Sequence, residues 1–214
     1  MTKPIVAEYL PEGERGMARI THFEIQPEAA DHYNIRASGR FQVRPGRYVR
    51  LAVNGQLYMT DTDMEWGSNQ AVMYKANGDV LIAGLGVGLI LVPILVKQSV
   101  RSVTVLEKFP DVITLTEPHI RKAAGADGYK LTVVEADALT WKPPAGQMWD
   151  VIYFDIWPDI CTDTLSEIAT LKRRYARRLR REGTNPWMGA WMEGTLRHRR
   201  EQERKRERQF ASFW

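Results

Sequence analysis

Residues 80–88 read VLIAGLGVG, a short apolar strand that runs into glycines at three alternate positions, Gly84, Gly86 and Gly88. A chain that reverses this tightly, with bare backbone left for a ligand, needs residues without a Cβ at the turn. The helix start behind such a turn adds unpaired N–H groups. The strand has no polar face, so it must be covered on both sides, as in parallel sheets flanked by helices. The uncharged run from 80 to 96 is slightly short for a membrane span of about 20 residues. It also carries Pro93 and the three glycines, so it is read as strand, loop and helix rather than as a membrane segment.

Three more apolar runs follow, each closed by an acid. Residues 102–106 end at Glu107 and Lys108, residues 131–134 lead into Asp137 and Ala138, and residues 149–154 end at DIWPD, positions 155–159. A carboxylate at the tip of the second strand can accept from both hydroxyls of a ribose, and one after the third strand can accept from an adenine amino group. In a doubly wound sheet these strand ends line one crevice. The predicted fold is therefore α/β: a Rossmann-like, doubly wound, mostly parallel sheet. A small N-terminal β-hairpin region is expected over 1–63, the nucleotide-binding domain over 64–192 and a basic helix over 193–214. Asn54-Gly55 marks the hairpin, with strands expected at 40–43, 47–53 and 56–59. Helices are expected at 64–76, 87–97, 110–124 and 163–181, and a fifth strand within 185–192.

The glycine spacing discriminates between ligands. A dinucleotide loop places its third glycine three residues after the second. That position is Leu89 here, and the third glycine falls at Gly88. The spacing is that of loops that bind S-adenosyl-L-methionine (SAM), so Gly84, Gly86, Gly88, Glu107, Lys108, Asp137 and Ala138 form the expected cofactor set, with no NAD. Asp155 is the candidate catalytic group, placed to accept a hydrogen bond from the nucleophile. Trp157 and Asp159 are candidate substrate contacts. The expected reaction is methyl transfer to nitrogen or oxygen of a small-molecule or nucleic-acid acceptor. His22, His32, His119 and His198 show no ligand spacing, so no metal is expected.

Charge is split along the chain. Residues 1–171 hold 16 Lys and Arg against 21 Asp and Glu, whereas residues 172–214 hold 14 against 5. The basic end allows a second reading, a nucleic-acid-binding protein with a Rossmann-like head, or a contact between copies in a homo-oligomer. The final helix, with Glu201 four residues before Lys205, is expected to have no core face. Helix 163–181 is expected to pack through Leu165, Ile168, Ala169, Ala176 and Leu179 and to begin with a Thr164–Glu167 capping box. The single cysteine, Cys161, is expected to be buried, and with no apolar leader at the start a reducing, cytoplasmic setting is expected.

From residue 54 to 159 the sequence resembles the spermidine synthase-like branch of class I SAM-dependent transferases. The resemblance rests on Asn54-Gly55 through Asp63, then VLIAGLGVG, residues 103–107, Asp137-Ala138 and residues 150–155. It implies a seven-stranded Rossmann-like fold that binds SAM or its decarboxylated form, with aminopropyl transfer as the alternative reaction. Similar chains with this compact ending are familiar among phage and environmental sequences, which suggests a phage origin. The chain departs from the polyamine synthase pattern where that family has an acid in the glycine loop (Val87), a Tyr-His pair (Gly67-Ser68), a glutamine (Tyr58, the third candidate substrate contact) and an Asp-x-x-Asp-Pro turn (DIWPD).

Overall fold

A computed structural model describes residues 2–35, 37, 42–182 and 185–211. The N-terminal part is an antiparallel sheet of four strands in sequence order: β1 (Gly13–Arg15), β2 (Ala18–Ile25), β3 (Gly46–Val53) and β4 (Gln56–Thr60). Helix α1 (Pro27–Asn34) sits between β2 and β3. The hairpin expected at Asn54-Gly55 is present, and both residues take positive φ, 52° and 76°. Such a turn matches the twist of the strands it joins. β1, β2 and α1 were not anticipated, although β2 carries an alternating signal, with Ala18 and Ile20 buried and Arg19 exposed. Of the strand expected at 40–43, residues 40 and 41 lie outside the described residues, and 42 and 43 are not in a strand.

Two short helices, α2 (Asp63–Ser68) and α3 (Gln70–Lys75), replace the single helix expected there and break at Asn69. The parallel sheet follows, with β5 (Gly78–Ala83), α4 (Leu91–Leu95), β6 (Val100–Glu107), α5 (Pro110–Ala123), β7 (Leu131–Glu135), β8 (Val151–Phe154), α6 (Thr164–Tyr175) and β9 (Trp187–Ala190). Its strand order is β7-β6-β5-β8-β9, and every pairing is parallel. This is a Rossmann-like α/β fold with five strands among the described residues, rather than the seven that the resemblance implied. The order turns at β5, so the crevice between β5 and β8 is the switch point where such sheets bind ligands.

Alternate residues of the central strands feed two cores. Val80 and Ile82 pack with Ile20, Leu51 and Val53 of the antiparallel sheet, while Leu81 and Ala83 pack with Leu171 and Tyr175 of α6. The buried stripe of α6 is thus Ile168, Leu171 and Tyr175, and Ala169 is exposed. The capping box does not form: Thr164 Oγ1 donates to the Cys161 carbonyl, and Glu167 accepts from Trp157 Nε1. Cys161 is exposed, contrary to expectation, because its loop passes over the surface.

Much of the basic run at 172–181 is spent inside the fold. Arg174 donates to the carbonyls of Thr140 and Trp141, and Arg178 to those of Pro143 and Pro144. Arg180 and Arg101 both bind Asp79 and the fully buried Asp150, with Arg180 Nη1 2.7 Å from Asp150 Oδ2. This cluster sits at the amino ends of β5 and β8, away from the crevice. The last helix, α7 (Glu193–Ala211), does have a core anchor, since Leu196 is 2% exposed and belongs to the main core. From Arg197 to Phe210 it is exposed, with Lys205 2.8 Å from Glu201. Among the described residues no helix is long and apolar enough to cross a membrane.

Candidate active site

The carboxyl ends of β5, β6, β7 and β8 surround a cavity of about 310 Å³. That volume falls at the small end of the range for ligand sites, roughly 300–1,000 Å³. Gly84 and Gly86 form its floor. Gly84 has φ 102°, and a Cβ there would lie 2.0 Å from the backbone oxygen of Asp155, so only glycine lets β5 and β8 approach. A Cβ on Gly86 (φ 52°) would meet Met59 Sδ at 2.0 Å. Met59 arrives from β4 and takes the Val87 N–H at 3.2 Å, so the antiparallel sheet presses on the loop. Gly88 does not line the cavity. A Cβ there would strike Ile120 of α5 at 2.5 Å, which makes Gly88 a packing residue for helix and loop. The helix also begins at Leu91, later than expected.

These two contacts predict different outcomes for two small substitutions. Gly84→Ala would force backbone apart and should lower the melting temperature sharply. Gly86→Ala displaces only the flexible end of Met59 and strains a positive φ, so it should stay folded and lose ligand affinity. Thermal melts and calorimetry with S-adenosylhomocysteine check both, and equal destabilisation would refute the distinction.

Glu107, at the end of β6, is 7% exposed. Its Oε2 accepts from the Leu85 N–H and its Oε1 from the Phe109 N–H, both at 2.9 Å. Burial pushes its carboxyl up, and those N–H groups oppose the shift. The N–H groups of Lys108 and Gly86 also point at this carboxylate and help hold it at the tip of β6. Asp137 Oδ1 accepts from the Leu139 N–H at 2.9 Å, and Oδ2 is 3.1 Å from Lys108 Nζ. Burial pulls Asp137 up, but the Leu139 N–H and the Lys108 ammonium outweigh it and hold the carboxyl below its ordinary value. The Tyr175 hydroxyl donates to the Ala138 carbonyl and ties this turn to α6.

Asp155 follows β8 at the switch point, where burial pushes it up to about 7 against a hydrogen bond from Asn69. Asn69 is itself buried: its Oδ1 accepts from the Tyr153 hydroxyl at 2.7 Å, and its Nδ2 donates to the Glu65 carbonyl. Glu65, on α2, also lines the cavity, and burial followed by the Asp155 charge pushes it up to about 8. Tyr58 packs edge-on against Phe109 at 5.5 Å between centroids, and Trp157 donates to Glu167 Oε2 at 2.7 Å. Both line the cavity, as does Trp191, which follows β9. Asp159 does not: it is exposed on the loop before α6, outside the cavity lining. Glu65, Asn69, Met59 and Trp191 were missed. A signal existed for two of them, since Glu65 and Asn69 share the buried stripe of Val72, Met73 and Ala76 at helical spacing. Acid and amide groups on an apolar stripe are informative because such groups are rarely buried without a purpose.

Among the described residues five carboxyl groups thus line the cavity (Glu65, Glu107, Asp137, Asp155 and Glu167) against one cation, Lys108, already paired with Asp137. The lining is therefore rich in carboxyl groups. No family profile matches the chain. It is 33% identical over 132 residues to a polyamine aminopropyltransferase of Streptomyces coelicolor, a match that covers 58% of this chain and 24% of that protein. The chain therefore spans about a quarter of that relative's length. Among solved structures it is similar to a spermidine synthase from Thermotoga maritima, at 21% identity and TM-score 0.42, covering 68% of this chain and 47% of that one. It is also similar to the SAM-dependent methyltransferase SibL, at 20% identity and TM-score 0.42, covering 56% and 36%.

Proposed function

We propose that the protein transfers an alkyl group from an adenosyl sulfonium donor to an amine nitrogen. The observation that carries this reading is the acid-lined cavity at the switch point, floored by bare glycine backbone. Glu107 is placed to take ribose hydroxyls and the Asp137–Ala138 turn to meet the adenine, which leaves Asp155 beside the reacting end. When bound, the sulfonium supplies an activated carbon whose bond to sulfur breaks with the electron pair leaving on sulfur. The protein's part is orientation, exclusion of water and proton removal. With its carboxyl pushed up to about 7, Asp155 is matched to taking a proton from an ammonium as it enters a dry site.

The charge of the lining also ranks the donors. The carboxylate of SAM would face acids, with Lys108 already engaged, whereas decarboxylated SAM brings only cations. Aminopropyl transfer is therefore placed ahead of methyl transfer, which reverses the order expected from sequence. Methyl transfer is the second reading, supported by Val87 and Gly67-Ser68 at positions where polyamine synthases carry other residues. The test is incubation of the full chain with each donor and a panel of aliphatic amines, followed by mass spectrometry. Gain of one aminopropyl group is expected. Gain of a methyl group would select the second reading, and no transfer or donor binding would overturn both.

A further inference from the structure

The chemistry above employs Asp155 and leaves Glu65 without a task. Glu65 is 9% exposed and lines the cavity from α2. Among the described residues no Lys, Arg or backbone N–H holds its carboxylate. Its main-chain carbonyl, not its side chain, takes Ser68 Oγ and Asn69 Nδ2. The titratable groups facing it are Asp155, after β8, and Tyr153, on β8, and neither is a cation. The Tyr153 hydroxyl is already donated to Asn69. A carboxyl held beside another acid, with no internal partner, is a cost to the fold and returns nothing to it. Glutamine or leucine would satisfy packing alone.

We infer that Glu65 is a further acceptor-binding residue: Glu65 and Asp155 grip the attacking nitrogen in its ammonium form from two sides of the cavity. This rests on the transferase reading above. The nitrogen arrives carrying its proton, Asp155 takes that proton onto its carboxylate, and the freed lone pair forms the new bond to carbon as the carbon–sulfur pair leaves on sulfur. Burial keeps Glu65 protonated in the empty cavity; it gives that proton to solvent as the ammonium enters, and its carboxylate then balances the positive charge that the nitrogen regains. The arrangement selects basic amines and rejects neutral nucleophiles such as hydroxyls, which bring no charge to offset two buried acids.

The experiment compares wild type, Glu65→Gln and Glu65→Asp by thermal melting, with S-adenosylhomocysteine alone and with butylamine or butanol added. Four results are expected. Glu65→Gln melts higher than wild type when ligand-free, because an uncompensated acid is gone. Its affinity for S-adenosylhomocysteine stays within about twofold. The shift that butylamine, but not butanol, gives wild type falls at least tenfold in apparent affinity. Glu65→Asp, which keeps the charge, recovers part of that shift. A lower melting temperature with an unchanged butylamine shift in Glu65→Gln would make Glu65 a structural residue and overturn the inference. If wild type binds neither S-adenosylhomocysteine nor 5′-methylthioadenosine, the product of aminopropyl transfer, the transferase reading itself fails, and this inference fails with it.

Discussion

Asp155→Asn is expected to lower turnover by about 10²–10⁴-fold, the contribution of a positioned proton acceptor, while leaving affinity for S-adenosylhomocysteine near that of wild type. The amide keeps the side chain's size and its place beside Asn69 but cannot take a proton. The pH dependence follows from the raised carboxyl. Below about 7 Asp155 is protonated and cannot act as base, so the wild-type rate should climb as pH rises through that value. The variant should lose this limb. Single-turnover rates measured on both sides of pH 7 separate the two. A variant with the same limb, or one that loses ligand affinity and rate together, would remove Asp155 from the proton-transfer step.

The second large effect lies at the other end of the sheet. Arg101→Met combined with Arg180→Met leaves Asp150, with no exposed side-chain surface, without the two guanidinium groups that contact it at 2.9 and 2.7 Å. Breaking a buried ion pair from one side costs about 3–5 kcal/mol. For a chain of this size each kcal/mol shifts the melting temperature by about 2–4 °C, so a fall of roughly 6–20 °C is expected. Adding Asp150→Asn to that background should restore part of the loss, because a buried charge that has lost both guanidinium partners is then removed. No recovery in the triple variant would mean that the arginines act through packing instead. Ligand affinity should change little in any folded member of this series, since the cluster lies away from the crevice.

The parallel sheet was legible because its strands are apolar runs bounded by turn signals, and four of the five end at a residue that points to its place. Gly84, Glu107, Asp137 and Asp155 are separated in sequence but equivalent in position, each at or just past a strand's carboxyl end. Topology alone therefore brings them together. Gly88 and Asp159 looked equivalent by motif and are not. One is consumed by packing against Ile120, and the other lies past the point where the loop turns to the surface. Motif position cannot separate these cases, because the difference is made by a distant helix in the first and by loop direction in the second. The antiparallel part was read poorly for a related reason. Its strands are half-polar and β1 is three residues long, so the hairpin turn was the strongest local signal there. Glu65, Asn69 and Met59 come from this part and from the short helices after it, and they enter the cavity through packing between the two sheets.

The division of the cavity between those two sheets also bears on how the protein assembles. β3 and β4 join through the two-residue Asn54-Gly55 turn and β2 and β3 pair across residues 26–45, whereas β5 pairs with β8 much further along the chain, where the Asp79 N–H donates to Asp150, 71 positions away. Distant pairings come with a loop-closure penalty and are made late. Asp155 lies beyond that late strand and Glu65 before β5, so the two acids meet only once the slowest pairing has closed. In kinetic terms the cavity is absent while the chain searches for its fold, so a ligand held there acts on the rate of leaving the native state and not on the rate of reaching it.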